Sequence, residues 1–386
     1  MDKITPEIIC EIYDESGVTG YLVIDSIINN NCWGGIRTVP DLTIDELIQN
    51  ARTMTMKYGF LGLPVGGAKA GVIINGEDQE KRKNVFRRFG KKIAPLLKNK
   101  IYLPGIDLGT TLDDLKELER GAGVNLRLNK WKDVSHIYTS WTIYAAAEET
   151  LKITGIRNGK VAIEGFGKVG SEVAKIFSEN GFTVVGVSNK LGAIYKEEGL
   201  DIDTLIRIKD RYKDGMIFKY PDTAKIENHE LYYLPVDILV FCGRSFVAET
   251  LAIEKIKAKI ICVGVNAPLT ERFEEALFEK GQICLPDFVS NSGGVLGSLM
   301  RHYMSDNKIE EIFKSDYSKK VRRLLSRSQE TRTLPGKVAR IMVEERIKFM
   351  KQESRKIGLS RFLKPLVPEF FKRPFAKRYF TKMMDS

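Results

Sequence analysis

Two lysines and one aspartate lie in sequence surroundings that are unusual for charged residues. Lys57 ends an apolar-periodic stretch, and Lys69 follows twelve residues later among small residues in LPVGGAKAG. Asp107 lies in the apolar, glycine-rich segment LPGIDLGTT. Small neighbours let a substrate approach closely, and partial desolvation favours the neutral, reactive form of an amine. An amine and a carboxylate in such segments could polarise a carbonyl and move protons.

A glycine-rich motif in the second half indicates a different chemistry. Six residues match GxGxxG between a predicted strand (Lys160–Glu164) and a predicted helix (Ser171–Asn180): Gly165, Phe166, Gly167, Lys168, Val169 and Gly170. In that context the glycines allow a tight turn, close approach of a pyrophosphate and close helix–strand packing. The N-terminus of the helix attracts the phosphates. The motif therefore predicts a dinucleotide-binding site.

The residues after the next predicted strand, Phe182–Val187, bear on which dinucleotide binds. A carboxylate there would bond the ribose 2′-hydroxyl of NAD. This chain instead has Ser188, Asn189 and Lys190, and no acid until Glu197. Neutral and basic side chains tolerate or attract a 2′-phosphate, so we expect NAD or NADP with a preference for NADP.

The elements that must position these residues alternate between strands and helices. Thr43 is a predicted N-cap with Glu46 as its capping-box partner, and this helix should end near Lys57, before Gly59. A further helix is predicted over Thr139–Ile153. The other predicted strands are Gly20–Asp25, Ala70–Ile74, Ile238–Phe241, Ile260–Val265 and Gln282–Leu285.

This alternation predicts an α/β protein with two domains. We expect an N-terminal α/β substrate domain over residues 1–135 and a C-terminal Rossmann-type, doubly wound parallel sheet over residues 136–330. Residues 331–386 should form C-terminal helices and a basic, aromatic-rich tail.

Composition argues against several other classes of protein. The five cysteines are isolated and the three histidines lack ligand spacing, so neither a disulfide framework nor a metal site is expected. The sequence contains no run of about 18 apolar residues, so no membrane span is expected. The first residues lack the pattern of a signal peptide, so the cytoplasm is the expected compartment.

The net charge of +11 is unevenly distributed. From Glu353 onward, nine lysines and arginines face three acidic residues, and aromatic residues lie between them. Such a tail could lie on an anionic membrane surface or on RNA. We favour packing on the body of the protein or on another subunit, and we expect no nucleic-acid binding.

Taken together, these motifs resemble the glutamate/leucine/phenylalanine/valine dehydrogenase family from about Gly34 to about Met304. The segments that carry the resemblance are GGIR at Gly34–Arg37, the Lys57/Lys69 pair, the Asp107 turn, GFGKVG, VSNKLGAIYKEEGLD, VNAPLT and PDFVSNSGGV. The resemblance implies a catalytic cleft between the two domains and a homo-oligomer. It also implies NAD(P)-dependent interconversion of an L-amino acid with its 2-oxo acid and ammonia.

The resemblance also implies a role for individual residues. Lys57 would hold the substrate α-carboxylate, Lys69 would polarise the carbonyl and activate water, and Asp107 would shuttle the proton at nitrogen. Further matches are Gly34 and Gly35 in the substrate pocket, Asn291 near substrate and nicotinamide, Thr139 at the nicotinamide amide and Asn266 at the cofactor ribose.

Departures from the family pattern bear on the substrate. Trp33 replaces the lysine that neutralises the side-chain carboxylate in glutamate-specific members, which favours an apolar or aromatic substrate side chain. Ser298 argues the other way, since it matches a serine that glutamate enzymes use at that carboxylate. Arg244 lies in a segment, residues 241–245, that replaces a usual run of small apolar residues, and it could meet a cofactor phosphate or only solvent. A glutamate dehydrogenase, an imine reductase using another amine and a catalytically silent cofactor-binding protein remain as alternatives.

Overall fold

In a computed structural model of the chain, the alternating strands and helices form two units. The structure describes residues 5–15, 17–74, 76, 78–126, 134–157, 159–243, 250–266, 269–301, 303–356, 380 and 384. The first unit comprises Met1–Lys132 and Met342–Phe370, and the second comprises Asp133–Ile341 and Phe371–Ser386. The predicted domain limits, 1–135, 136–330 and 331–386, remain a proposal. The two units differ from them chiefly because Met342–Phe370 belongs to the first unit.

The first unit contains a mixed five-stranded sheet. Its strands are β1 (Ile8–Asp14), β2 (Gly17–Ile24), β3 (Cys32–Thr38), β4 (Gly66–Val72) and β5 (Tyr102–Ile106). They lie in the order β1-β2-β4-β3-β5. Strands β4, β3 and β5 are parallel to one another, whereas β2 is antiparallel to both of its neighbours, β1 and β4. The predicted strand at Ala70–Ile74 in fact begins at Gly66, because a Gly-Gly pair has low strand propensity and hides the beginning of the strand.

Three helices follow in this unit: α1 (Ile44–Leu61), α2 (Gln79–Lys98) and α3 (Leu112–Ala122). The Thr43 side chain accepts a hydrogen bond from the Glu46 backbone N–H, as predicted. The predicted end of α1 near Lys57 is wrong, since the helix continues to Leu61 and is capped by Gly62 at a φ of 76°. Gly59 serves packing instead, because a Cβ there would lie 2.5 Å from a Val343 side-chain carbon.

The two faces of this sheet have different partners. Side chains alternate along a strand, so Cys32 and Ile36 point to one face, where they join a buried cluster with Phe86 and Phe89 of α2. The opposite face is covered by α1, whose Leu47 and Ala51 pack with Val23 of β2. This second face carries the candidate catalytic side chains.

The second unit is built on a seven-stranded sheet. Its strands are β6 (Lys160–Glu164), β7 (Thr183–Asn189), β8 (Gly192–Tyr195), β9 (Ala224–Ile226), β10 (Ile238–Phe241), β11 (Ile260–Val263) and β12 (Ile283–Cys284). The order is β12-β11-β10-β6-β7-β8-β9. The first five strands in this order are parallel to one another, and β8 is antiparallel to both of its neighbours, β7 and β9. The parallel part confirms the predicted Rossmann-type fold class.

Nine helices are described from residue 135 onward: α4 (Ser135–Thr154), α5 (Lys168–Glu179), α6 (Ile202–Tyr212), α7 (Glu271–Glu279), α8 (Asp287–Ser290), α9 (Gly293–Met300), α10 (Asp306–Ile312), α11 (Ser318–Thr331) and α12 (Pro335–Lys356). The predicted helix at Ser171–Asn180 is α5, which begins three residues earlier. None of the described helices is long and apolar enough to cross a membrane.

Most of the basic tail lies outside the described residues. Phe380 and Met384 are described, and both are buried. The Phe380 ring lies 6.3 Å from the Tyr303 ring, and the Met384 carbonyl accepts a hydrogen bond from Lys320. The role of the tail remains a prediction.

Candidate active site

The catalytic pair predicted from the sequence is in direct contact. Lys69 lies in the middle of β4, and Asp107 immediately follows β5. The Lys69 Nζ lies 2.7 Å from the Asp107 Oδ2, with 4% of the lysine side chain and 24% of the aspartate side chain exposed. An amine from the middle of β4 and a carboxylate just after the end of β5 are therefore held together across β3, with the carboxylate closer to solvent.

A second cation reaches the same carboxylate from β3. The Arg37 Nε lies 3.4 Å from the Asp107 Oδ2, and another nitrogen of its guanidinium pairs with Glu46 in the first turn of α1. Burial by itself would raise the pKa of the Asp107 carboxyl. The positive charges of Lys69 and Arg37 and the backbone N–H of Leu108 outweigh burial and hold that pKa at about 2. Asp107 is thus an ionised proton acceptor near neutral pH.

Glycines make room for this carboxylate. A Cβ at Gly35 would lie 2.9 Å from the Asp107 Cβ, so a larger residue would displace the aspartate. Gly34 points to the opposite face, where a Cβ would lie 1.7 Å from the Ala68 carbonyl oxygen. Of the two predicted pocket glycines, only Gly35 shares the face of Asp107, whereas Gly34 permits close strand packing.

The turn that carries Asp107 is fixed on both sides. The Thr38 N–H donates to the Leu108 carbonyl, and the Thr38 and Thr110 hydroxyls are 2.7 Å apart. Arg82 of α2 donates to the Gly109 carbonyl. These contacts hold the catalytic carboxylate on a rigid turn.

Lys57 and Trp33 are the other substrate-side predictions in the first unit. Lys57 is 6% exposed on α1. The helix packs closely on β4, because the Gly67 N–H donates to the Thr55 hydroxyl at 3.1 Å. The Trp33 ring packs edge-to-face on Tyr58 with centroids 5.9 Å apart, and its indole N–H has no hydrogen-bond partner among the described residues. Alternation along β3 puts Trp33 on the face of Gly35 and presents a packed aromatic wall rather than a charge.

The glycine-rich turn in the second unit has the geometry that a dinucleotide needs. Gly165 has a φ of 87°, and a Cβ at Gly170 would lie 1.9 Å from the Gly165 carbonyl oxygen. A Cβ at Gly167 would meet nothing within 4 Å, so there is open space where a phosphate would approach. Lys168 and Val169 form the first turn of α5, which has no side-chain N-cap. Its first N–H groups are therefore suited to phosphate oxygens.

The residues at the end of β7 mainly support this turn. The Ser188 hydroxyl accepts from the Gly165 N–H, and its carbonyl accepts from the Phe166 N–H. Asn189 donates to the Asp214 carbonyl, and Lys190, which is exposed, pairs with the Asp214 carboxylate at 2.7 Å. Their contact with the cofactor remains a prediction.

Lys209 of α6 is a candidate cofactor residue that the sequence reasoning missed. Its Nζ donates to the Gly167 carbonyl and the Ser171 hydroxyl at 2.8 and 2.6 Å, and it lies over the Phe166 ring. Burial lowers the pKa of this amine. Because both hydrogen-bond acceptors are uncharged, the lysine brings positive charge to the turn. The sequence holds no local signal for this, since Lys209 is 42 residues from Gly167.

The predicted nicotinamide-side residues lie on neighbouring elements of the second unit. A Cβ at Gly294 of α9 would lie 2.8 Å from the Thr139 hydroxyl of α4. Asn291 is 5% exposed and donates to the Val265 carbonyl and toward the Asn266 side chain. Ser298 is half-buried, one helical turn after Gly294 on α9. Arg244, also predicted to meet the cofactor, lies outside the described residues.

Two models of one protein family match most of the chain. Residues 134–354 match the family model described as glutamate/leucine/phenylalanine/valine dehydrogenase, and residues 6–120 match the dimerisation domain of the same proteins. The chain belongs to this dehydrogenase family. A glutamate dehydrogenase of Thermotoga maritima is 32% identical over 297 residues, which cover 72% of this chain and 70% of that protein.

Two solved structures share the fold of this family member. A hetero-hexameric glutamate dehydrogenase of Thermus thermophilus in a leucine-bound form has a TM-score of 0.75 at 20% identity, over 92% of this chain and 90% of that one. An L-tryptophan dehydrogenase of Nostoc punctiforme has a TM-score of 0.65 at 20% identity, over 90% and 97%. At this identity the two structures bear on the fold and leave the substrate open. Family membership confirms the predicted cofactor class, NAD or NADP.

Proposed function

We propose that the protein catalyses reversible, NAD(P)-dependent oxidative deamination of an L-amino acid. In the reductive direction, a 2-oxo acid, ammonia, reduced cofactor and a proton give the amino acid, oxidised cofactor and water. The observation that carries the proposal is the buried Lys69–Asp107 pair beside Gly35. Sheltering an amine and a carboxylate from water is costly, and such charge pairs are typical of catalytic sites, which favours an active enzyme over a silent cofactor-binding protein.

Each of the three charged groups has a distinct task in this reaction. Lys57 binds the α-carboxylate, which orients the Cα of the substrate. Lys69 donates a hydrogen bond to the carbonyl oxygen and polarises it for attack by ammonia. Asp107, ionised because its pKa is about 2, accepts a proton from the nitrogen as the imine forms and returns it later.

The second unit would hold the cofactor at the glycine-rich turn and along α5. When bound, the nicotinamide supplies or accepts the hydride. We propose NADP as the preferred cofactor, because Ser188, Asn189 and Lys190 at the end of β7 include no acid that would repel a 2′-phosphate. Arg244 remains a predicted phosphate contact.

The substrate side chain is proposed to be apolar or aromatic. Trp33 and Tyr58 form an aromatic pair where the family's glutamate enzymes have a lysine, and an uncompensated substrate carboxylate next to such rings would be costly to desolvate. Ser298 keeps glutamate as the alternative. We further propose a homo-oligomer, since the family's dimerisation segment is present.

A substrate panel tests this function. Purified protein is mixed with ammonia, NADH or NADPH, and 2-oxo acids with aliphatic, aromatic or acidic side chains, and loss of reduced-nicotinamide absorbance is followed. We expect turnover with an apolar or aromatic acid, with NADPH preferred.

Lys69→Ala serves as the catalytic control and should abolish turnover. Absence of turnover across the panel, despite measurable cofactor binding, would refute the proposed reaction. Turnover with the five-carbon acidic oxo acid alone would correct the substrate to glutamate. Turnover that needs a primary amine in place of ammonia would identify an imine reductase.

A further inference from the structure

Arg37 lies between two carboxylates on the catalytic face. It follows Gly35 by two residues on β3, so both belong to the same side of the strand. Its Nε lies 3.4 Å from the Asp107 Oδ2, and its Nη1 pairs with Glu46. The Arg37 side chain is 13% exposed, which makes this bridge largely sheltered from water.

The charges around Asp107 come from several elements. Lys69 of β4 and Arg37 of β3 approach the same oxygen, Oδ2. The hydroxyl of Tyr102 on β5 is also buried, and its pKa is raised mainly by burial, with a smaller contribution from the negative charge of Asp107. Glu46 of α1 lies on the far side of Arg37 and offsets part of its charge.

Lys69 cannot serve Asp107 and the substrate equally. In the proposed reaction its ammonium donates to the carbonyl oxygen of the substrate, so its hold on Asp107 weakens at that stage. Arg37 is the cation that remains on the carboxylate. A planar guanidinium contacts two carboxylates through different nitrogens held in a fixed fork, whereas an ammonium lacks that fixed geometry.

We propose that Arg37 is a positioning residue, anchored by Glu46, that keeps Asp107 ionised and fixed in orientation while Lys69 engages the substrate. This inference rests on the proposed function, because it assigns Arg37 a task within that reaction. It extends the catalytic set to a residue whose effect is exerted through Asp107 and not on the substrate.

The test is the pH dependence of kcat in Arg37→Gln, because kcat reports the enzyme–substrate complex in which Lys69 engages the substrate. Loss of an opposite charge at this distance should move the acidic midpoint upward by about one pH unit, because Asp107 then binds a proton more readily. We expect kcat near neutral pH to fall about ten-fold, which corresponds to about 1.4 kcal/mol in the barrier, with KM nearly unchanged. Arg37→Lys, which retains the charge, should keep the wild-type midpoint and recover part of kcat.

Arg52→Gln is the matched control, since Arg52 also bridges two carboxylates in this unit, those of Asp25 and Glu344. It should leave both kcat and the midpoint at the wild-type values. An unmoved midpoint in Arg37→Gln, or an equal shift in Arg52→Gln, would overturn the inference. If Arg37→Gln does not fold, Arg37→Lys decides: unchanged kcat in that variant also overturns it, because the bridge to Glu46 would then be dispensable.

A second readout separates this inference from the proposed function. Carbon-13 NMR of protein labelled at the aspartate carboxyls, with Asp107 assigned through Asp107→Asn, gives the titration of this group without turnover. A higher pKa in Arg37→Gln supports the inference, and an unchanged pKa refutes it. If the wild type reduces no substrate, the proposed function fails, and the titration still decides whether Arg37 controls Asp107.

Discussion

Breaking the Lys69–Asp107 pair from its two sides should have unequal effects on stability. Asp107→Asn leaves the Lys69 ammonium 4% exposed and without its counter-ion. Lys69→Met leaves Asp107 24% exposed and still 3.4 Å from Arg37. At an effective dielectric constant of about 20, the attraction lost at 2.7 Å is about 6 kcal/mol, and the one retained at 3.4 Å is about 5 kcal/mol, both before desolvation.

Net values are smaller because desolvation opposes these attractions. We expect Asp107→Asn to destabilise the protein by about 3–5 kcal/mol, the usual cost of an uncompensated buried charge. Lys69→Met should cost only about 1–2 kcal/mol, because Arg37 continues to neutralise the carboxylate. The double variant Lys69→Met/Asp107→Asn should be more stable than Asp107→Asn alone by about 2 kcal/mol, since it no longer buries a lone charge.

Thermal unfolding at a fixed protein concentration measures these differences, since an oligomer's midpoint depends on concentration. For a unit of this size, 1 kcal/mol corresponds to about 2–4 °C, so Asp107→Asn should melt on the order of 10 °C below the wild type. The double variant should regain roughly half of that loss. Additive losses in the double variant, or a greater loss for Lys69→Met than for Asp107→Asn, would show that Arg37 does not compensate the charge of Asp107.

Three further predictions concern the same sites. The depressed pKa of Asp107, about 2 against an ordinary 3.8, stabilises the fold above about pH 4 by about 2–3 kcal/mol, and this is lost as pH falls towards 2. The urea midpoint of Asp107→Asn should therefore vary less between about pH 5 and 2 than that of the wild type, and parallel curves would contradict this. Gly35→Ala should lower kcat in steady-state assays, because the new Cβ would displace Asp107. Gly105→Ala is the control and should leave kcat unchanged, since its Cβ would meet only the Gly35 Cα at 4.0 Å. Equal effects of the two substitutions would be evidence against the clash. Lys209→Gln should weaken the binding of NADPH and of NADH alike, each about ten-fold in fluorescence titrations, because the lost charge lies at the turn that faces the pyrophosphate common to both, and unchanged binding would contradict a cofactor role for Lys209.

The sequence predicted the strands best where they are continuous and apolar. The bounds of β6 and β10 agree with the prediction, because both are short runs of branched or apolar residues in a buried parallel sheet. The pattern failed where glycine has more than one function. Gly59 is expected to stop the helix, yet it lies inside α1, where the Val343 side chain packs closely against it.

The residues of the candidate site were likewise predictable from the sequence only in part. The family motifs directed attention to Lys69 and Asp107, and the parallel strands β4, β3 and β5 bring the two side chains within 2.7 Å. Arg37 was noted only as part of a motif, although the period-two alternation from Gly35 already implied that it shares their face. Lys209 could not be found this way, because only the tertiary packing of α6 brings it to the glycine-rich turn.

In the proposed reaction, the imine formed from a 2-oxo acid and ammonia gains a hydride from the bound cofactor, with Lys69 and Asp107 as the catalytic pair. The most direct measurement uses NADPH carrying deuterium at the transferred position of C4, with ammonia and the acid that turns over fastest, and mass and NMR analysis of the product. We predict an L-amino acid with one deuterium at Cα, formed by the wild type and by neither Lys69→Ala nor Asp107→Asn. Product without deuterium at Cα, a 2-hydroxy acid in place of an amino acid, or undiminished product from either variant would contradict the account.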